Sequence, residues 1–311
     1  MAMTYLTQAS SGATRCAGVY GDATTLFDWA VSGRHGWTTA HTGTNERIYQ
    51  STAGHLMYVN HKSADSGAAQ LFIVRGCESA TAVGSRTDDY PAVAQVSNTT
   101  CNWIASSTAD TTARDYVFLV GPDFVFFASK FNGTSWDWGF FGQVPAQYSG
   151  DSYNVVCITR TSASTSTPSM LGSGAGAVSN VSNTQTGHIF WKRDITGAIK
   201  SERGNLCAFG QYPGGGLGSA PNALGGYLNG IARQKMGLSS FGSSTTTAGA
   251  TALMNRGWLP NIWQALHNGL GVLTDADTFT DSAYNAGASF RPITYSTYAL
   301  FVETTDTWAA P

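Results

Sequence analysis

Apolar residues occur along this chain in short runs closed off by Gly, Pro, Asn and Asp, and that spacing predicts strands. Residues 46–50 (Glu-Arg-Ile-Tyr-Gln) and 55–59 (His-Leu-Met-Tyr-Val) flank a Ser-Thr-Ala-Gly connection, the pattern of a hairpin. Residues 70–75 predict a strand that follows the Asp65-Ser66-Gly67 turn signal and closes at Gly76. Residues 116–120 meet Gly121-Pro122-Asp123 and then the apolar run 124–127; Gly permits positive φ there and Pro presets its own. Asn132-Gly133 is the strongest short hairpin signal in the chain and separates 127–131 from the aromatic run 136–141. Residues 154–159 predict a further strand.

Beyond residue 160 the pattern changes. Residues 161–187 are dominated by Ser, Thr, Gly and Ala, with Pro168 in the middle, a composition that buries little apolar surface and predicts a linker or long surface loop. After it, 188–193 are expected to pair with 198–200 across Asp194-Ile195-Thr196-Gly197. Residues 212–226 are rich in Gly and Pro and predict irregular backbone. Two short helices, 248–255 and 262–268, fit the pattern weakly, and 293–303 reads as one strand-like element. The expected architecture is all-β: an antiparallel sandwich or barrel-like sheet with long irregular loops and one or two short helices. Its expected parts are a β-rich domain over 1–160, the linker 161–187, and a second β-rich part over 188–311 that packs into the same domain or beside it.

Composition narrows the function classes. Charged residues make up 12% of the 311, the net charge is −2, and 37 Thr with 31 Ser make the chain unusually hydroxylic. A nucleic-acid binder needs an excess of Lys and Arg to neutralise phosphates, so no nucleic-acid partner is expected. The longest apolar runs are far short of the ~20 residues that span a bilayer, so no membrane partner is expected. Residues 1–18 hold no apolar segment of signal-peptide type, and Cys16, Cys77, Cys101, Cys157 and Cys207 form no CxxC pair. The expectation is free thiols in a chain made in a reducing cytoplasm.

Candidate chemistry is sparse. His55 and His61 would share a strand face by period two, which permits a metal pair without a nearby third ligand. The alternation Asp275, Asp277, Asp281 is calcium-like, but Phe279 and Thr280 occupy positions where an EF-hand loop needs a polar ligand and Gly. Asp88, Asp89, Asp137, Asp151 and Glu303 could supply the two carboxylates of a glycosidase, with Trp136 and Trp138 stacking on sugar. No HExxH, nucleophile elbow or Walker loop occurs. No catalytic residue, cofactor or metal is assigned. Trp136, Trp138, Phe140, Phe141 and Tyr212 are the candidate interface residues, because so dense an aromatic segment needs cover on both faces, from this chain or another subunit.

Several stretches, taken in order, resemble a family of uncharacterised virion structural proteins of tailed bacteriophages. They are Gly36-Trp37; Thr42-Gly43-Thr44-Asn45 with Arg47-Ile48-Tyr49-Gln50; and the stretch from Ser106 through Asp110 to Arg114. Next come Phe140-Phe141-Gly142-Gln143-Val144-Pro145 and Gly150-Asp151-Ser152-Tyr153. The set ends with Gly257-Trp258-Leu259-Pro260, Leu266-His267-Asn268, Asp277-Thr278-Phe279 and Glu303-Thr304-Thr305-Asp306-Thr307-Trp308. Gln143 stands where that family commonly carries an acidic residue. The resemblance implies a virion component of the tail, baseplate or head–tail region and implies no known enzyme activity; the expected role is assembly without catalysis, with copies of itself and other virion proteins as partners, in the host cytoplasm. A capsid decoration protein and a tail module that binds or cleaves host glycans are the alternatives.

Overall fold

A computed structural model describes residues 3–62, 70–93, 102–146, 149–160, 188–193, 202–208, 226–228, 231–240, 254–265, 278–281, 287–295 and 298–305. The first half contains β1 (Thr4–Thr7), α1 (Asp22–Ala30), β2 (Thr38–Thr42), β3 (Glu46–Gln50), β4 (Leu56–Lys62), β5 (Gln70–Cys77), β6 (Ser79–Ala82), β7 (Ser85–Thr87), β8 (Asn102–Ser106), β9 (Tyr116–Gly121), β10 (Phe124–Ser129), β11 (Asp137–Gln143) and β12 (Val155–Arg160). The second half contains β13 (His188–Lys192), β14 (Glu202–Ala208), β15 (Gly226–Leu228), β16 (Ile231–Ser240), β17 (Met254–Ala265), β18 (Phe279–Asp281), β19 (Ala288–Tyr295) and β20 (Tyr298–Glu303). Strand dominates the described residues, beside a single short helix among them, and the main sheet is a large antiparallel one curled into a half-barrel.

One arm of the ladder runs β2–β3–β4–β5–β8. A longer arm runs β1–β9–β10–β11–β12–β13–β14–β16–β17–β20–β19–β18. The arms meet where Arg160 of β12 pairs with Asn102 of β8. β6 and β7 form a separate two-stranded ribbon.

The apolar runs of β9 to β12 are buried on both faces, and period two sorts their side chains. Tyr116, Phe118, Val120, Val125, Phe127, Phe141 and Cys157 face α1, together with Met57, Val59, Phe72 and Trp103 from the other arm. Val117, Leu119, Phe124, Phe126, Trp138, Phe140, Val156 and Ile158 face the opposite way, against Leu259 and Ile262 of β17, Ile293 of β19, and Leu300 and Val302 of β20. A helix, a curled sheet and a C-terminal strand layer therefore stack in that order. Residues from before 160 and after 188 share the second of these cores.

The turn-punctuated pattern does not predict α1. Its signal is the spacing Ala23, Leu26, Phe27, Ala30, an i, i+3, i+4, i+7 stripe whose members are all buried. Two threonines and a tryptophan within nine residues obscure it. Its N-terminus is finished by tertiary contact: Nδ1 of His61, on β4, accepts the backbone N–H of Gly21 at 2.9 Å and of Ala23 at 3.3 Å. Gly21 itself offers no side chain for that task.

Several expectations need correction. The helix over 262–268 is replaced by strand through Ala265, because Ile262, Trp263 and Gln264 pair with Val302, Phe301 and Leu300. Residues 254–255 of the helix expected over 248–255 also lie in β17, while 248–253 and 266–268 lie outside the described residues. β13 pairs with β14, Lys192 opposite Glu202, while residues 198–200, its expected partner, lie outside the described residues. Gly76 does not close its strand; β5 continues to Cys77, and Gly76 pairs with Tyr90. Residues 293–303 divide between two paired strands, β19 and β20. The Asn132-Gly133 signal does lie between paired strands, but the connection is longer than a two-residue turn: Ser129 faces Asp137. Asn132 Oδ1 organises it by accepting the backbone N–H of Thr134 at 3.0 Å and of Ser135 at 2.6 Å. The stretches 161–187 and 212–225 lie outside the described residues.

Candidate functional site

Trp136, Trp138, Phe140 and Phe141 are completely buried within the single chain. Trp136, Trp138 and Phe140 lie in the core beneath β17, β19 and β20, while Phe141 faces the helix side and meets Trp37 edge-on at 6.3 Å. Cover for this segment therefore comes from the chain itself, and these four side chains present no surface to another copy. Tyr212 lies outside the described residues. Among the described residues the exposed large hydrophobics are Tyr20 and Val93.

The motif residues occupy the joints of the fold. Trp37 donates its indole N–H to Gly121 O at 2.8 Å, tying the segment before β2 to the β9–β10 turn. Arg47 and Tyr49, neighbours on one face of β3, converge on Asp28 of α1. Arg47 Nε donates to Asp28 Oδ2 at 3.0 Å, and the Tyr49 hydroxyl donates to Oδ1 at 2.8 Å. Arg47 Nη1 also donates to the carbonyls of Gly43 and Glu46, so one guanidinium fastens both the helix and the β2–β3 turn.

Arg114 performs a similar task in its own loop. It donates to Ser106 Oγ at 3.1 Å, to Thr108 Oγ1 at 2.8 Å and to Asp110 at 3.2 Å. The Thr108 hydroxyl beside Asp110 holds that carboxyl below its usual range, helped by the backbone of Thr112 and by Arg114. The loop rests on the chain before α1 through Gly18 N to Asp110 O and Arg114 N to Cys16 O.

Two motifs from distant parts of the chain meet directly. Gly142 (φ 141°) and Gly257 (φ 142°) both adopt backbone that side chains avoid. A Cβ on Gly142 would lie 2.3 Å from Asp123 O, and one on Gly257 would lie 2.1 Å from Pro145 O. The Phe140–Pro145 segment thus receives the Gly257–Pro260 segment at backbone contact.

The carboxylates that a glycosidase would need are engaged elsewhere. Asp89 accepts from Arg75 at 3.1 Å and pairs with Arg86 at 3.2 Å, and Arg86 also lies over the Tyr58 ring at 3.7 Å. Asp137 faces Arg160 at 4.0 Å and accepts the backbone N–H of Ile104 at 3.2 Å. Asp151 pairs with Lys192 at 3.2 Å. All three acids are buried, as is Glu303, so none stands open to a sugar; Asp88 is exposed.

His61 is committed to the helix N-terminus and lies between the rings of Tyr20 and Phe72. Among the described residues no cluster of three His, Cys, Asp or Glu side chains could hold a metal ion. Residues 275–277 lie outside the described residues. Among the described residues no helix is long and apolar enough to cross a membrane.

Cys16 and Cys77 are free and buried, and Cys157 is buried with its thiol donating to Val74 O at 3.5 Å. Burial pushes the thiols of Cys16 and Cys77 up to about 12, and nearby Asp22 and Asp89 add to the shift. Burial also raises the phenols of Tyr49 and Tyr116. The folded chain therefore keeps protons that the unfolded chain releases near its ordinary values of 9.0 for Cys and 10.0 for Tyr. Above pH 9.0 the folded state binds more protons than the unfolded state, so stability falls as pH rises and is fully present below that point. Denaturant midpoints at about pH 8 and about pH 11 check this; equal midpoints would contradict it.

Compared with models of known protein families and with curated protein sequences, the chain matches none.

Proposed function

We propose that this chain is a structural component of a tailed-bacteriophage virion, placed in the tail, baseplate or head–tail region, and that it acts through assembly and not catalysis. The reading is carried by the ordered set of motifs that spans most of the chain. The geometry supports it in one specific way: Trp37, Arg47, Tyr49, Arg114, Gly142 and Gly257 each serve a joint of the architecture. Residues that define such a family would then define a shape that neighbours can build on. Low charge suits this role, since charged groups are depleted at the cores of protein interfaces.

The test is to image intact particles in which the C-terminus of this protein is labelled, and to weigh the purified protein in solution. Label on the tail or at its junction with the head, in three- or sixfold arrangement, supports the proposal. Label following the symmetry of the capsid would move the protein to the head surface. A strictly monomeric protein that is also absent from purified particles would end the structural reading; binding to host polysaccharide would then favour the glycan-active alternative.

A further inference from the structure

Lys192 and Asp151 form the most deeply buried ion pair of the described residues, with side chains 0% and 1% exposed. Lys192 ends β13, and Asp151 lies in the connection that leads into β12. The two are 41 residues apart, on either side of the stretch 161–187. Nζ lies 3.2 Å from Oδ2, and the other carboxylate oxygen, Oδ1, accepts the backbone N–H of Tyr153 at 3.1 Å. Tyr153 is itself held by Arg193, whose guanidinium lies 4.4 Å from its ring centre and pairs with Glu78 at 3.0 Å. The acid is thus fixed at both oxygens, and the amine is held against it.

We propose that Lys192 and Asp151 condense into an intramolecular amide. A proton passes from the Nζ ammonium to Oδ2 along their contact, leaving a neutral amine beside a carboxylic acid. The Nζ lone pair attacks Cγ, and the carbonyl electrons move onto Oδ1, where the Tyr153 N–H stabilises the developing charge. When the carbonyl re-forms, the Cγ–Oδ2 bond breaks. Oδ2 takes a second proton from Nζ and leaves as water. One N–C bond forms, one C–O bond breaks, and no oxidant or further reactant is required.

Two physical reasons favour this reaction here over the same pair in water. Water stabilises a separated ammonium and carboxylate strongly, whereas burial removes that solvation from both groups. The amide is neutral, so condensation removes the buried charge altogether. Fixed positions also turn a bimolecular encounter into an intramolecular one, since Nζ is already held 3.2 Å from Oδ2 of the carboxyl it would attack. The product would tie the two halves of the chain covalently, much as a disulfide does, but in a form that a reducing cytoplasm leaves intact.

The experiment is the intact mass of the folded full-length chain, measured under denaturing conditions, followed by a tryptic map. The expected result is a mass lower by one water in essentially all molecules, loss of cleavage after Lys192, and a branched peptide joining the segments that contain Asp151 and Lys192. Lys192→Arg should restore the full mass. Asp151→Asn keeps the electrophile and should lose ammonia in place of water, a shift that a purely electrostatic role would not produce. A full-mass parent chain with normal cleavage after Lys192 overturns the proposal. So does a water loss that maps to Asp151-Ser152 alone and is cleaved by hydroxylamine, which marks a succinimide. Should either variant fail to fold, the map of the parent chain decides alone.

Discussion

Phe27→Ala should destabilise the protein by about 3–5 kcal/mol, the range for truncating a fully buried phenylalanine. Phe27 is the plug of the half-barrel. Its ring lies between 5.2 and 6.4 Å from the rings of Tyr49, Phe72, Trp103, Phe118 and Phe127, which come from β3, β5, β8, β9 and β10. All five strands are held by ladder hydrogen bonds to their neighbours, so the sheet cannot close over the gap. Loss of the ring therefore removes transfer energy and leaves a cavity as well. Edge-on geometry, as with Phe72 and Phe118, adds aromatic attraction that an aliphatic replacement would not recover. Phe27→Leu should fall well short of the alanine loss. Urea unfolding of both variants checks this, and an alanine variant within about 1 kcal/mol of the parent would mean that the helix is not seated in the sheet.

Asp137→Ala should cost a comparable 3–5 kcal/mol or so, roughly the loss on breaking a buried ion pair, but for an electrostatic reason. Asp137 opens β11 and lies in the core, 4.0 Å from Arg160, at the point where the two arms of the ladder meet. Its Oδ2 also accepts the backbone N–H of Ile104. Removing the carboxylate takes a counter-charge from beside a buried guanidinium and an acceptor from a buried N–H, and both penalties fall in a region from which water is excluded. Replacing both partners, Asp137→Ala with Arg160→Met, should recover much of the loss, since no uncompensated charge then remains. A double-mutant cycle reads this directly. If the double variant lost the full sum of the two single effects, the charge would not be the source of the destabilisation.

Much of the first sheet is legible in the sequence. Apolar runs such as Val117-Phe118-Leu119-Val120 and Phe124-Val125-Phe126-Phe127 predict strands because each residue finds an apolar face, and turn residues mark where the chain reverses. The hairpin of β3 and β4 follows from the same local logic. The helix does not. Its stripe is short, and the acceptor that finishes its N-terminus is His61, far along the chain. Isolated helices of that length are marginal in water, so the sheet around it is what makes it a helix.

The second half of the chain is less legible because its strand partners lie at long range. Ile262-Trp263-Gln264 has no decisive period of its own, and only pairing with Leu300-Phe301-Val302 makes it a strand. The aromatic segment shows the same division. Its density requires cover on both faces, and that much follows from composition. Whether the cover comes from another subunit or from this chain depends on where β17, β19 and β20 pack, which local pattern does not specify.

Local sequence thus suffices for the class of structure, the positions of the main turns and the shortage of reactive groups in motif spacing. Those properties reside in neighbouring residues and need no distant partner. Which carboxylate meets which cation is a property of the folded chain: Asp28 joins Arg47 and Tyr49, and Asp151 lies against Lys192. Such pairings form between residues distant along the chain, and their strength arises from burial, which exists only once the layers have stacked.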